Sequence, residues 1–200
     1  MRAPVPVTLS LVTILLACQD QSGTLAPEET SAVRAPATAS FSTASQIAQL
    51  RRLVARFHDF DAAVAAGWSA QITPCWMDTD LPSQPGTGGM GFHYGNLEYI
   101  LDGGAVNLLE PELLLYEPEK NGKLRFVGVD YIVRYADHPE TADPPTLLGQ
   151  KFSKVPEVGV WGLHIWVGRE NASGIFEPWN EKVSCEFAAG ATAAGHHHGG

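Results

Sequence analysis

Four side chains able to handle protons or bind metal interrupt runs that are otherwise apolar: His93, Glu117, Asp130 and His164. His93 lies in "GMGFHYGN" (89–96), where Gly89, Gly91 and Gly95 alternate with larger residues. In a strand those three glycines and His93 share one face, and Phe92 and Tyr94 take the other. "VGVWGLHIWVG" (158–168) repeats the arrangement. Trp161, Leu163, Ile165 and Val167 form a core face, while Gly162, His164, Trp166 and Gly168 form a second. Glu117 has the parity of Leu113 and Leu115, and Asp130 that of Phe126, Gly128 and Ile132. A carboxylate on such a face costs several kcal/mol unless it is paired, protonated or bound to metal.

Three readings follow. The histidines are packed core residues satisfied by Glu117, Asp130 or backbone. Or they form the polar end of a ligand pocket, with His93, Tyr94, Glu117, Asp130, His164 and Trp166 as binding residues. Or two imidazoles and a carboxylate, His93, His164 and Glu117, hold a divalent metal such as zinc or iron. The sequence has no HExxH motif, phosphate loop, redox CxxC or Ser-His-Asp order.

The elements that must position these residues are legible from periodicity. Apolar residues at Ile47, Leu50, Val54, Phe57 and Val64 predict a helix over 42–68, able to break near Asp59–Asp61. Ser42, Thr43 or Ser45 can cap it, and Gly67 ends it. From Trp68 the period becomes two. Strands are predicted at 68–74, 90–95 and 158–168, with a hairpin over 112–135 turning at Asn121–Gly122. "DTDLPSQPGTGG" (78–89) and "ADHPETADPP" (136–145) are loops. The expected fold is α+β: one helix, or two short ones, packed on a mainly antiparallel sheet that is curled or barrel-like.

The ends of the chain carry a different signal. Arg2 precedes the apolar run "VPVTLSLVTILLA", and the run stops at "LLAC". This reads as a signal peptide over 1–17 and resembles a lipobox that makes Cys18 the lipidated N-terminus. Residues 18–41 are expected to be a disordered tether. Residues 42–187 form one α+β domain, and 188–200 a disordered Ala/Gly/His tail whose histidines bind metal loosely or are an appended tag. The expected location is the bacterial cell envelope, by lipid anchor, and Gln19 favours the outer membrane. The chain has 13 Lys+Arg against 22 Asp+Glu, a net charge of −9, and no basic stripe. Nucleic acid is therefore not an expected partner, and contact with the membrane is left to the lipid. In an oxidising compartment the remaining two cysteines, Cys75 and Cys185, are expected to pair. Closing that loop contributes at most roughly 4–5 kcal/mol.

"MGFHYGN", "LLLYEP…NGKLRFVGVDYIV" and "LHIWVGRENASGIFEPWNEKVSC" together resemble a family of exported bacterial proteins of unknown function. The likeness covers about residues 45–185. It places His93, Tyr94, Asn96, Glu117, Tyr131, His164, Trp166, Asn171, Gly174, Trp179, Asn180 and Cys185 on pattern positions. Asp130 stands where the pattern has Glu, Ala172 where it has Pro, and Arg169–Glu170 where Lys-His is common. The absent histidine at 170 argues against a four-ligand metal site. The resemblance implies a shared fold unit and site, and carries no reaction with it.

The functional expectation is an envelope lipoprotein with a His/carboxylate-lined cavity that binds a small ligand or serves as an accessory module. The alternative is a small metal-dependent enzyme. An exposed aromatic patch at Phe176 and Trp179 would instead favour a protein-interaction module. Cys18→Ser is expected to release the protein from membranes or leave it unprocessed; unchanged detergent partitioning and mature size would remove the lipobox reading.

Overall fold

The computed structural model describes residues 42–188, so the expected signal peptide, Cys18, the tether and nearly all of the tail lie outside it. Helix α1 (Thr43–Val54) starts where the Ser42 hydroxyl accepts the Ser45 N–H at 3.3 Å, and it buries Ile47, Leu50 and Val54. A 3-10 turn (Ala55–His58) follows. Asp59 then caps α2 (Phe60–Ala65) by accepting from Asp61 N–H at 3.0 Å. The predicted helix thus breaks at Asp59, because a short acceptor side chain there satisfies backbone donors that a continuous helix would not expose. Gly67, at φ +108°, ends the helical segment.

The strands are β1 (Trp68–Gln71), β2 (Trp76–Met77), β3 (Gly89–Asn96), β4 (Leu113–Pro118), β5 (Leu124–Arg134), β6 (Thr146–Leu147), β7 (Gln150–Lys151), β8 (Ser153–Val155) and β9 (Val160–Ile165). A four-residue helix, α3 (Leu97–Ile100), follows β3. Seven strands form one antiparallel sheet in the order β1-β3-β4-β5-β9-β8, with β2 also on β3, and β6–β7 are a separate hairpin. The 146–155 strands carry little sequence signal. Their turn uses Leu148 at φ 55° beside Gly149, where Asn-Gly would have announced it.

Helices α1 and α2 cover one face. Leu50, Val54 and Phe57 pack on Phe92, Leu114, Tyr116, Val129 and Ile165, and the Tyr116 hydroxyl donates to Phe57 O at 2.8 Å. Among the described residues the sheet is neither curled nor closed into a barrel: β1 and β8 are its two edges and do not pair with each other. Closure is unnecessary because the second face has its own cover. The C-terminal segment and the loop before β3 lie on it, joined by a Gly89–Asn180 bridge and by Trp179 Nε1 donating to Gln84 O at 2.6 Å. Cys75 and Cys185 are disulfide-bonded, 110 residues apart in sequence, and tie that cover to the segment entering β2.

Two irregularities adjust which side chains share a face. A register shift between Leu115 and Tyr116 sets Tyr116 against Phe126 but Leu115 against Gly128. Phe126 therefore joins the helix-side core, contrary to its parity with Asp130, while Gly128 and Asp130 stay on the opposite face. Gly91 takes φ +84°, so Met90 and His93 both reach the second face.

Glu112, at the start of β4, is also buried, 2 % exposed, and accepts from Ile132 N–H at 3.2 Å. Burial raises its carboxyl from 4.5 to about 8. Between those values the folded chain keeps a proton that the unfolded chain has lost, so this contribution to stability is greatest below about pH 4.5 and is lost as pH rises towards 8. Glu112→Gln keeps the acceptor and is expected to stabilise the protein at pH 7 by at most about 3 kcal/mol, with the gain vanishing near pH 4. Urea unfolding of both proteins across this range checks it.

Candidate metal centre

The second sheet face brings three of the candidate residues together. Asp130 on β5 and His164 on β9 are direct cross-strand partners. His93 comes from β3, paired to Leu115 of β4, and Leu113 of β4 pairs with Asp130. Gly162 leaves no bulk beside Asp130, while Gly91 and Gly128 let neighbouring backbone approach closely. A Cβ on Gly128 would lie 2.8 Å from Ile165 O, and one on Gly162 would lie 3.8 Å from Asp130 Oδ1.

His93 Nε2 and His164 Nε2 are 3.4 Å apart. Asp130 Oδ2 is 3.9 Å from the first and 3.7 Å from the second. These separations define a triangle whose circumradius is about 2.1 Å, so one point lies that far from all three ligand atoms. Bonds from zinc to imidazole or carboxylate are about 2.0–2.2 Å. The trio is 1 %, 5 % and 8 % exposed for His93, Asp130 and His164, so its oxygens and nitrogens have little recourse to water.

The packed-core reading leaves a debt in this geometry. The two imidazoles can share one hydrogen bond, but 3.7 and 3.9 Å are too long for the carboxylate to accept from either ring. Asp130 Oδ1 is buried without a well-formed hydrogen bond among the described residues, and the Leu163 backbone only partly offsets the burial of the carboxyl. A cation at the shared point gives Oδ2 a ligand bond and satisfies both Nε2 lone pairs. The buried His93, Asp130 and His164 group can thus hold a metal ion.

Burial sets the protonation of the trio. It lowers His93 well below the ordinary imidazole range, with His164 adding to the effect, and it lowers His164 to about 3. It raises Asp130 to about 8. Both imidazoles therefore present neutral lone pairs at neutral pH, the form a metal requires.

Supporting contacts fix the rings. Thr73 Oγ1 lies 2.8 Å from His93 Nδ1 and can hold the proton on that nitrogen, leaving Nε2 free. Trp76 packs on His93 with ring centroids 5.3 Å apart. Trp166 stacks on His164 at 6.0 Å and 15°, while its own Nε1 donates to Glu177 O at 2.6 Å. Thr73 and Trp76 flank the disulfide-bonded Cys75, so the bridge steadies the segment that orients His93. Sequence reasoning missed Thr73, since a threonine before a proline looks like any loop residue.

The site opens into a cavity of about 420 Å³ whose floor includes His93, Asp130 and His164. Trp76, Leu81, Met90, Ile132, Val155 and Phe176 are among its walls. Three other candidates lie elsewhere. Glu117 is not with the histidines: it pairs with Arg169 and accepts Ser184 N–H at 3.0 Å, fastening the C-terminal segment to β4. It shares the face of Leu115 but sits two residues further along, about 7 Å of strand rise. Asp130 takes the place that Glu117 was expected to fill as the carboxylate ligand. Tyr94 points to the helix side, packs on Phe60 at 4.6 Å and donates to Gln71 Oε1 at 3.3 Å, so it is no cavity wall. Trp166 backs His164 within a small cluster with Leu115, Val127 and Val183, and does not line the cavity. Trp179 is buried, 2 % exposed, which removes it from any exposed aromatic patch.

Comparison of the chain with protein-family models, curated proteins and solved structures finds no match. Thr73→Val keeps the shape of the side chain and removes the hydroxyl facing His93. It is expected to weaken zinc binding by roughly 10–100-fold, with unfolding little changed. Competition against a metal-sensitive dye measures the affinity; equal affinities would show that Thr73 does not orient the ring.

Proposed function

We propose that this chain is an exported, lipid-anchored envelope protein that holds one divalent transition metal on His93, Asp130 and His164. It uses that metal to bind a small molecule in the adjoining cavity. The observation that carries this reading is the buried Asp130 carboxylate. It is too far from either imidazole to hydrogen-bond, yet one bond length from a point it shares with both. The export signal, the lipobox-like "LLAC" and the likeness to exported bacterial proteins support the location.

Three protein ligands leave coordination positions for a molecule from the cavity. Structural zinc sites are generally closed by four protein ligands, whereas sites that act on a bound molecule keep a position open. Two imidazoles and one carboxylate suit zinc or non-haem iron. Such an ion supplies Lewis-acid polarisation or, as iron, redox chemistry when bound. The openness of the trio to the cavity also favours a second reading, a metal-dependent enzyme. Binding is placed first because, of the carboxylates and imidazoles on the cavity lining, only Glu177 lies outside the trio.

With His196, His197 and His198 replaced by alanine, the protein is expected to take up one zinc or ferrous ion per chain. Asp130→Asn and His164→Ala should each weaken binding by more than the roughly 10–100-fold that a supporting residue commands. Elemental analysis after dialysis checks the stoichiometry. Metal uptake that neither substitution alters would overturn the proposal.

A further inference from the structure

The chemistry of the cavity narrows what it receives, given the metal reading above. A divalent ion bound to two neutral imidazoles and the Asp130 carboxyl displaces the carboxyl proton, and the assembly then carries one unit of positive charge. A buried net charge is costly, and one monoanionic oxygen donor cancels it. Beyond the floor the cavity is a different environment. Trp76, Leu81, Met90, Ile132, Val155 and Phe176 form an apolar part of its wall, and Gln84, Gln150, Lys151, Ser153 and Glu177 also line it.

The mouth adds an independent observation. Ile72 and Val158 both line the cavity, yet they are 41 % and 46 % exposed. These two large apolar side chains extend the apolar part of the wall to solvent. That surface suits a ligand whose apolar part runs outward from the metal. At about 420 Å³ the space is at the small end of ordinary ligand pockets.

We infer that the cavity binds an aliphatic monoanion of the carboxylate class, its oxygens on the metal held by His93, Asp130 and His164 and its hydrocarbon chain running past Ile72 and Val158. The metal supplies the head-group affinity. The walls supply a chain-length dependence, because each buried methylene contributes about 0.8 kcal/mol, a factor of about four in affinity.

The test uses the tail-substituted, zinc-loaded protein and straight-chain carboxylates from acetate to decanoate, with binding measured by calorimetry. Metal content is measured on each sample. Affinity is expected to rise about fourfold per methylene, roughly 200-fold from butanoate to octanoate, and then level off. Val158→Ser and Ile72→Ser alter exposed positions and are expected to weaken octanoate several-fold while leaving butanoate unchanged. Asp130→Asn, which loses the metal, is expected to lose carboxylate binding at every length. Zinc-loaded protein whose affinity does not change with chain length would overturn this inference and leave the metal site standing. Equal octanoate binding with and without metal would overturn it too, since the head would then not lie on the ion. Failure to load zinc at all would overturn the metal reading and this inference together.

Discussion

A carboxylate buried on a sheet face has to be satisfied there, and Asp130 is the residue around which this structure has to be understood. Its side chain is directly across from His164, and His93 reaches it over β4. Neither histidine is close enough to donate to it, and its second oxygen has no well-formed hydrogen bond among the described residues. Packing alone would have favoured an apolar residue at this position. In the proposed metal site the cost of burial is offset by a bond from the carboxylate to the ion.

That constraint explains why the two faces of the sheet are built so differently. The helix-side face is a continuous core, with Tyr116, Phe126, Val129 and Ile165 under Leu50, Val54 and Phe57. It supplies the burial that fixes strand order. The other face is divided into small clusters, one around Trp166 and Leu115 and one around Leu81, Met90 and Trp179, with the cavity among them. Irregular chain covers it, so the disulfide and the Glu117–Arg169 pair act as fasteners where regular packing is thin. The bridge meets the segment carrying Thr73 and Trp76, and so the covalent tie and the orientation of His93 belong to one local unit.

The interruptions in backbone regularity serve the same face. Left-handed Gly91 brings Met90 and His93 to the cavity side together. The register shift at Leu115–Tyr116 sends Phe126 to the helices and leaves Gly128 beside the site. With strict alternation in β5, Phe126 would have shared the face of Gly128 and Asp130.

The sequence by itself determined the helix-then-strands order, a helix able to break near Asp59–Asp61, the hairpin at Asn121–Gly122, the expected pairing of Cys75 with Cys185, and one face shared by glycines with His93 and another with His164. These follow from local period and residue type, which neighbours along the chain are enough to define. It also marked both Glu117 and Asp130 as carboxylates in apolar runs and named Glu117 as the metal ligand, although local period alone holds nothing to choose between them. Tertiary structure made that choice, because register between distant strands sets which carboxylate stands opposite His164 and which is taken by Arg169. It also turned Tyr94 to the core, placed Trp166 behind His164, brought Thr73 to His93, and left the sheet open under a covering of C-terminal chain. Each of these depends on contacts between residues far apart in sequence, and periodicity within one strand carries no information about its neighbour.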